Sequence, residues 1–288
     1  RKANGYGMTS DQLEKIKYEK EADLVISVDN GISAFEALAY AKQINLDVIV
    51  TDHHEPLTEI LPEAVSIVNP KLIKKESDLK YLCGAAIAFY LVRGLNSVMF
   101  TKGKKPSLVD YLVLSSLATI SDMVPLIGEN RILVDKGLEF LYQTELLGLN
   151  LLLDKIYIPH YPNAQDLGFY LIPILNAAAR MGETEKTINA LTEKNLIVEK
   201  SVNELIKINN ERKKMTVELS KEAIQLIEKN KLDEEEIIIL KSSDFHLGML
   251  GLLANKMADK YKKIVIIVND SNPLEWKASA RSYQNFDL

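Results

Sequence analysis

The sequence predicts an α/β fold: a mostly parallel sheet with flanking helices, a long connecting helix, and a second, smaller α/β domain that is only partly present. Three observations carry this. Short β-branched runs at 24–28, 48–50 and 65–68 alternate with stretches of helical periodicity, the pattern of strand-helix-strand units. Glu199 to Lys229 then keeps apolar residues at helical spacing over an unusual length. Beyond residue 231 a fresh strand, helix and strand begin.

The 288 residues are 47% hydrophobic and 26% charged, which is globular and long enough for one large domain or two ordinary ones. No apolar run reaches the roughly 18 residues of a membrane span. No basic-apolar-small leader is visible, and a cytoplasmic location is expected. The single cysteine, Cys83, allows no internal disulfide and sits in an apolar stretch, as a small core residue would. A net charge of −5 excludes a polycation, so any contact with nucleic acid must come from a local basic groove.

Taken in order, Arg1 to Gly7 is a glycine-punctuated loop, and Thr9 or Ser10 caps a helix whose apolar face begins at Leu13 and Ile16. Leu24 to Val28 reads as a buried strand ending in Asp29-Asn-Gly. Ser33 is expected to cap a helix carrying Phe35, Leu38, Ala39 and Ala41, and the strand at Val48 to Val50 follows. One right-handed crossover therefore brings Asp29 and Asp52 to the same edge of the sheet. Val65 to Val68 is a third strand, closed by Asn69-Pro70, and Leu82 to Leu95 an apolar helix containing Gly84. Ser107 to Ser121 is apolar on nearly every face, hence a buried helix. It runs into Asp122, a carboxylate that burial would penalise unless paired or bound to metal.

Leu133 to Leu152 reads as further helix, and residues 154–170 as irregular, with His160 a surface loop histidine. In Leu175 to Gly182, small residues surround a lone Arg180 and suit its presentation to an anion. Glu185 to Asn230 is helical by composition. Glu236 to Leu240 and Ile264 to Val268 are strands flanking a helix from Leu247 to Lys260, and Trp276 to Ser282 is a strand leading into a turn. The basic residues Lys102, Lys104 and Lys105, and the Arg212-Lys-Lys run, read as solvated faces.

The chemistry concentrates at Asp52-His53-His54, which holds two of the four histidines directly after a strand. Ligands of open α/β sheets bind beyond the carboxyl ends of strands. An acid with two imidazoles is a mixed nitrogen and oxygen donor set, better matched to Mn or Mg than to thiolate-bound zinc. Asp29 joins it through the crossover, and Asp122 is the natural third acid.

Asp29-Asn-Gly31, Asp52-His-His54, Ser121-Asp-Met-Val-Pro-Leu126 and Asn176-Ala-Ala-Ala-Arg180 occur in that order. The set resembles the DHH phosphoesterase superfamily, and within it the bacterial single-strand-specific 5′→3′ DNA exonucleases. Gly5-Tyr-Gly7, Asn210-Glu-Arg-Lys213, Phe245 to Ala254 and Ser279-Ala-Arg-Ser282 match as well, so the resemblance covers nearly the whole chain. It implies a catalytic domain at 1–183, a connecting helix at 184–230 and a DHH-associated C-terminal domain at 231–288. The family's first Asp-x-Asp pair and its closing Gly-Gly-His motif are absent from these residues, so the chain reads as a fragment that can itself be inactive.

The resemblance makes Asp29, His53 and Asp122 metal ligands. It has Asp52 ligate or orient, and His54 touch the scissile phosphate. Two Mn²⁺ or Mg²⁺ ions, roughly 3.5–4 Å apart, would then serve an in-line displacement. Single-stranded DNA is expected to thread between the domains. Arg180, Ser279 and Arg281, assisted by Arg1, would hold its 5′ phosphate. His246 is either a site residue or simply the start of a helix. The implied partners are single-stranded DNA, a single-strand-binding protein and a RecQ-type helicase, with no membrane. The other readings are a nanoRNase-type oligonucleotide or cyclic-dinucleotide phosphodiesterase, a manganese pyrophosphatase, and a non-catalytic scaffold that keeps the fold.

Overall fold

The computed structural model describes residues 7–99, 107–159, 161–195 and 197–283. It divides into two compact units, residues 1–172 and 173–288. Among the described residues no helix is long and apolar enough to cross a membrane.

Unit 1 opens with α1 (Ser10–Glu19), where Thr9 and Gln12 form a reciprocal capping box. β1 (Leu24–Val28), α2 (Phe35–Gln43), β2 (Asp47–Thr51) and β3 (Ser66–Val68) follow. The three strands pair in that order and all run parallel. Val28 stands opposite Thr51, and Thr51 opposite Val68, so the strands end flush. Asp29, Asp52 and Asn69 therefore leave the sheet side by side. Val48 and Val50 pack with Leu13 of α1 and with Ala37, Leu38 and Ala41 of α2 into one core.

Two local expectations fail here. β1 is an edge strand with Leu24, Ile26 and Val28 exposed, not a buried one. Ser33 does not cap α2, which begins after Ala34 with no side-chain cap.

The helices α3 (Gly84–Met99), α4 (Val109–Ser121), α5 (Gly128–Glu139), α6 (Leu147–Lys155) and α7 (Ala164–Tyr170) complete the unit. The start of α3 forms a second core with Leu133 of α5. Although α4 is apolar by composition, its buried positions include Ser115, Ser116 and Thr119. Small side chains let α5 approach closely: a Cβ on Gly137 would fall 2.1 Å from the Oγ of Ser116.

The single helix expected at 133–152 is broken between α5 and α6. Asp110 of α4 accepts hydrogen bonds from the Thr144 hydroxyl at 2.5 Å and the Glu145 N–H at 2.8 Å, which fixes a turn there. The stretch expected to be irregular contains α7, nucleated by a capping box between Asn163 and Asp166.

Unit 2 holds α8 (Ile172–Met181), α9 (Thr184–Thr192), the long α10 (Ile197–Lys229), β4 (Ile237–Lys241), α11 (Leu250–Tyr261), β5 (Ile264–Asn269) and β6 (Lys277–Arg281). β4 and β5 are parallel, while β6 runs antiparallel to β5. Ala223 and Ile227 of α10 share a core with Ile238, Leu240, Val265 and Ile267 of the sheet and with Leu253 and Met257 of α11. By compactness nearly all of α8 falls in the same unit as the long helix.

Candidate metal centre

The site is built at the flush end of the first sheet. At the end of β1 the chain turns sharply, and Asp29 adopts φ 61°, in the left-handed region that aspartate tolerates better than most residues. Its N–H donates to the Thr51 carbonyl at 2.9 Å, which ties the turn to β2. Gly31 follows at φ 118°, where a Cβ would meet Ser27 Oγ at 3.0 Å and Val50 Cγ1 at 3.1 Å. Only glycine fits that position without strain.

Asp52 is the hub of the centre, and it is 1% exposed. Its Oδ2 accepts the Ile32 N–H at 2.9 Å. Its Oδ1 accepts the backbone N–H groups of His53 at 2.8 Å and His54 at 3.3 Å, and it lies 2.6 Å from His54 Nδ1. Burial works to raise this carboxyl's pKa. The donors from Ile32, His54 and His53 outweigh it and hold Asp52 below the usual carboxylate range. With both oxygens engaged by the chain, Asp52 orients the two histidines.

His53 stands between two carboxylates. Its Nε2 is 2.9 Å from Asp29 Oδ1, and its Nδ1 is 3.7 Å from Asp122 Oδ2. The bond to Asp29, opposed by burial and reinforced by the charge on Asp122, raises its pKa above that of free histidine. Asp122 caps the C-terminal end of α4, with Met123 beyond it at φ 57°. Its side chain is 43% exposed, so the buried carboxylate expected at the end of α4 is half open to solvent. Burial nonetheless raises its pKa, with the charge on His53 opposing and that on Asp29 adding to the rise.

The His54 ring lies 4.6 Å from that of His53, centroid to centroid. One ligand atom each from Asp29, His53 and His54 can be chosen so that all lie within 4.8 Å of one another. One carboxylate and two imidazoles converging in this way, with Asp122 on the other nitrogen of His53, fit a divalent cation. The structure thus brings together Asp29, Asp52, His53, His54 and Asp122.

Two supporting residues escaped the sequence reading. A Cβ on Gly84, at the start of α3, would fall 2.4 Å from the Cβ of Asp29, so the bare backbone of α3 backs the first acid. The buried Asn69 donates from Nδ2 to the His54 carbonyl at 2.9 Å and holds the histidine loop against β3. The one signal for Gly84 was a glycine at a helix start. For Asn69 it was an Asn-Pro directly after a strand.

Arg180, His246, Ser279 and Arg281 belong to unit 2 and gather around the start of α11. A Cβ on Gly248 would meet the Arg180 carbonyl oxygen at 1.8 Å, so α8 ends against this segment. His246 Nδ1 accepts the Gly248 N–H at 3.2 Å. A Cβ on Gly251 would stand 3.4 Å from both Arg281 Nη2 and Ser279 Oγ. Arg281 itself donates to Ser279 Oγ at 3.3 Å and to the Ala280 carbonyl at 2.6 Å. Arg1, His160 and Lys102, Lys104 and Lys105 lie outside the described residues.

Residues 4–119 match the family model described as "DHH family, N-terminal domain". These residues are similar to a DHH domain. The whole chain is similar to the single-stranded-DNA-specific exonuclease RecJ of Bacillus subtilis, at 35% identity over 99% of this chain and 35% of that protein. RecJ of Salmonella typhimurium is 33% identical over 99% of this chain and 51% of its own length. The chain thus spans about a third to a half of these relatives. Among solved structures, exonuclease RecJ bound to manganese superposes with a TM-score of 0.81 at 26% identity, over 99% of this chain and 69% of that one. RecJ of Thermus thermophilus in complex with Mn²⁺ gives 0.78 at 29% identity, over 94% of this chain and 39% of that one. The chain therefore shares the α/β architecture of RecJ.

Proposed function

We propose that the chain carries the catalytic centre of a metal-dependent exonuclease that degrades single-stranded DNA from its 5′ end, by two-metal phosphodiester hydrolysis, in recombination and repair. The observation that carries this reading is the clustering of ligand atoms of Asp29, His53 and His54 within 4.8 Å of one another, with Asp122 beside His53. The names of the relatives and the manganese complexes among the solved structures support it.

Asp29, His53 and Asp122 are the residues that would hold the divalent ion. When bound, Mn²⁺ or Mg²⁺ would stabilise charge on a phosphate oxygen and make an attacking water a better nucleophile. His53 must be neutral to ligate, so its proton, held by Asp29, has to leave first. Asp52 accepts a hydrogen bond from the Nδ1–H of His54. That leaves Nε2 of His54 to face a metal or, when protonated, to donate to a phosphate oxygen. In unit 2, Arg180, Ser279, Arg281 and His246 supply the donors suited to a terminal phosphate. The associated partners would be a single-strand-binding protein and a RecQ-type helicase.

The test is a nuclease assay of the full-length protein on 5′-labelled single strands with added manganese, run beside circular dichroism. His53→Ala is expected to abolish cleavage while leaving the spectrum unchanged, and a chelator to stop the wild type. Equal rates in wild type and variant would overturn the reading.

A further inference from the structure

Asp29 and Asp122 reach the centre on segments that have no strand pairing in common, and α3 and the loop after α4 must be held in register for the two acids to meet. We propose that Asn130 is the positioning residue that sets this register, acting through backbone carbonyls and touching neither metal nor substrate. The inference rests on the metal reading of the site given above.

Asn130 is the third residue of α5, and it is 1% exposed. Its side-chain amide has two hydrogens, and both are used. Nδ2 donates to the Tyr81 carbonyl at 2.8 Å and to the Pro125 carbonyl at 3.0 Å. Two carbonyls on one side fix which end of the amide is nitrogen. Its buried Oδ1 accepts no hydrogen bond among the described residues, so the side chain is present as a donor only.

The two carbonyls belong to the two segments that matter. Tyr81 ends a short turn, Asp78–Tyr81, and the chain then enters α3 at Gly84, the glycine that backs Asp29. Pro125 lies in the loop that leaves Asp122 through the left-handed Met123. The amide of Asn130 is thus a cross-brace from the support of one acid to the loop of the other.

Its neighbours tighten only one side of the brace. A Cβ on Gly128, at φ 47°, would fall 2.4 Å from a carboxylate oxygen of Asp78, so the first residue of α5 rests on the same turn. The Tyr90 hydroxyl of α3 bonds the Glu129 carboxylate. Both contacts join α5 to the Asp29 side. Of residues 128–130, Asn130 is the one whose side chain also reaches the Asp122 loop. An isosteric carboxylate would put acceptors against two carbonyls, and alanine would leave both without this donor.

Two measurements on Asn130→Ala test the proposal, with Val134→Ala as control. Val134 is buried on the same helix, so its truncation costs stability without removing a bond to either carbonyl. In the metal-free protein, hydrogen exchange at the amides of Leu82, Asp122 and Met123 is expected to quicken in Asn130→Ala well beyond any change in Val134→Ala. Manganese affinity, followed by titration calorimetry, should fall by about tenfold or more in Asn130→Ala and stay near wild type in the control. Asn130→Ser, which keeps one donor, should fall between. Exchange and affinity indistinguishable between Asn130→Ala and Val134→Ala would overturn the brace. If the wild type binds no manganese, the metal reading falls, and the exchange data still decide for or against Asn130.

Discussion

Asp52 commits both carboxylate oxygens to the chain around it, and that distinguishes it from Asp29 and Asp122, which face His53. Its backbone and imidazole donors favour the ionised form. A carboxyl whose pKa is lower folded than unfolded adds stability above its unfolded pKa, about 3.9, and loses it as pH falls through the folded value. Asp52→Asn should therefore destabilise the protein at pH 7 by roughly 1–3 kcal/mol, because an amide cannot accept from all four donors. The deficit should shrink as pH is lowered from 7 to below the unfolded pKa, where the unfolded chain takes up the proton first. Urea denaturation of both proteins at the two pH values checks the sign. His53 carries the opposite sign: its raised pKa adds stability in acid and loses it as pH rises through the folded value.

Among the elements, α7 shows how much of a helix resides in its first turn. Asn163 and Asp166 each accept the other's backbone N–H, at 3.0 and 2.9 Å. Asn163→Ala should cost about 1 kcal/mol of stability, read from thermal or urea unfolding, with manganese affinity unchanged. That Asn-x-x-Asp pattern was visible in the sequence. The nearby prolines and Gly168 masked it, because turn residues usually mark loops. The three strands of the first sheet were legible for the opposite reason: β-branched runs ending abruptly in polar residues leave little else to fit. Asp29, Asp52, His53 and His54 were legible because those runs end at them, and Asp122 because an apolar helix does. Gly84 and Asn69 were not. Their roles depend on a backbone approach and a carbonyl bond far away along the chain, and no local pattern encodes either. The break between α5 and α6 was hidden likewise, since the residue that fixes it, Asp110, lies on α4.

At the scale of the molecule, the two units answer differently to a cation. Asp29, His53, His54 and Asp122 all belong to residues 1–172, so manganese should stabilise that unit. At a free concentration about 100 times its dissociation constant, the gain should be about 2.7 kcal/mol. Hydrogen exchange should slow across β1–β3 and α4 and stay unchanged across β4–β6, and a chelator should reverse the effect. The register of the first sheet also bears on how this chain can vary. Because β1, β2 and β3 stop at the same rung, the length of each strand is part of the site. One residue inserted within β2 would turn the Asp-His-His triplet to the opposite face of the pleat, while one added between His54 and Val65 would leave that rung where it is. Viable insertions and deletions should therefore accumulate in that loop and avoid the strands on either side of it.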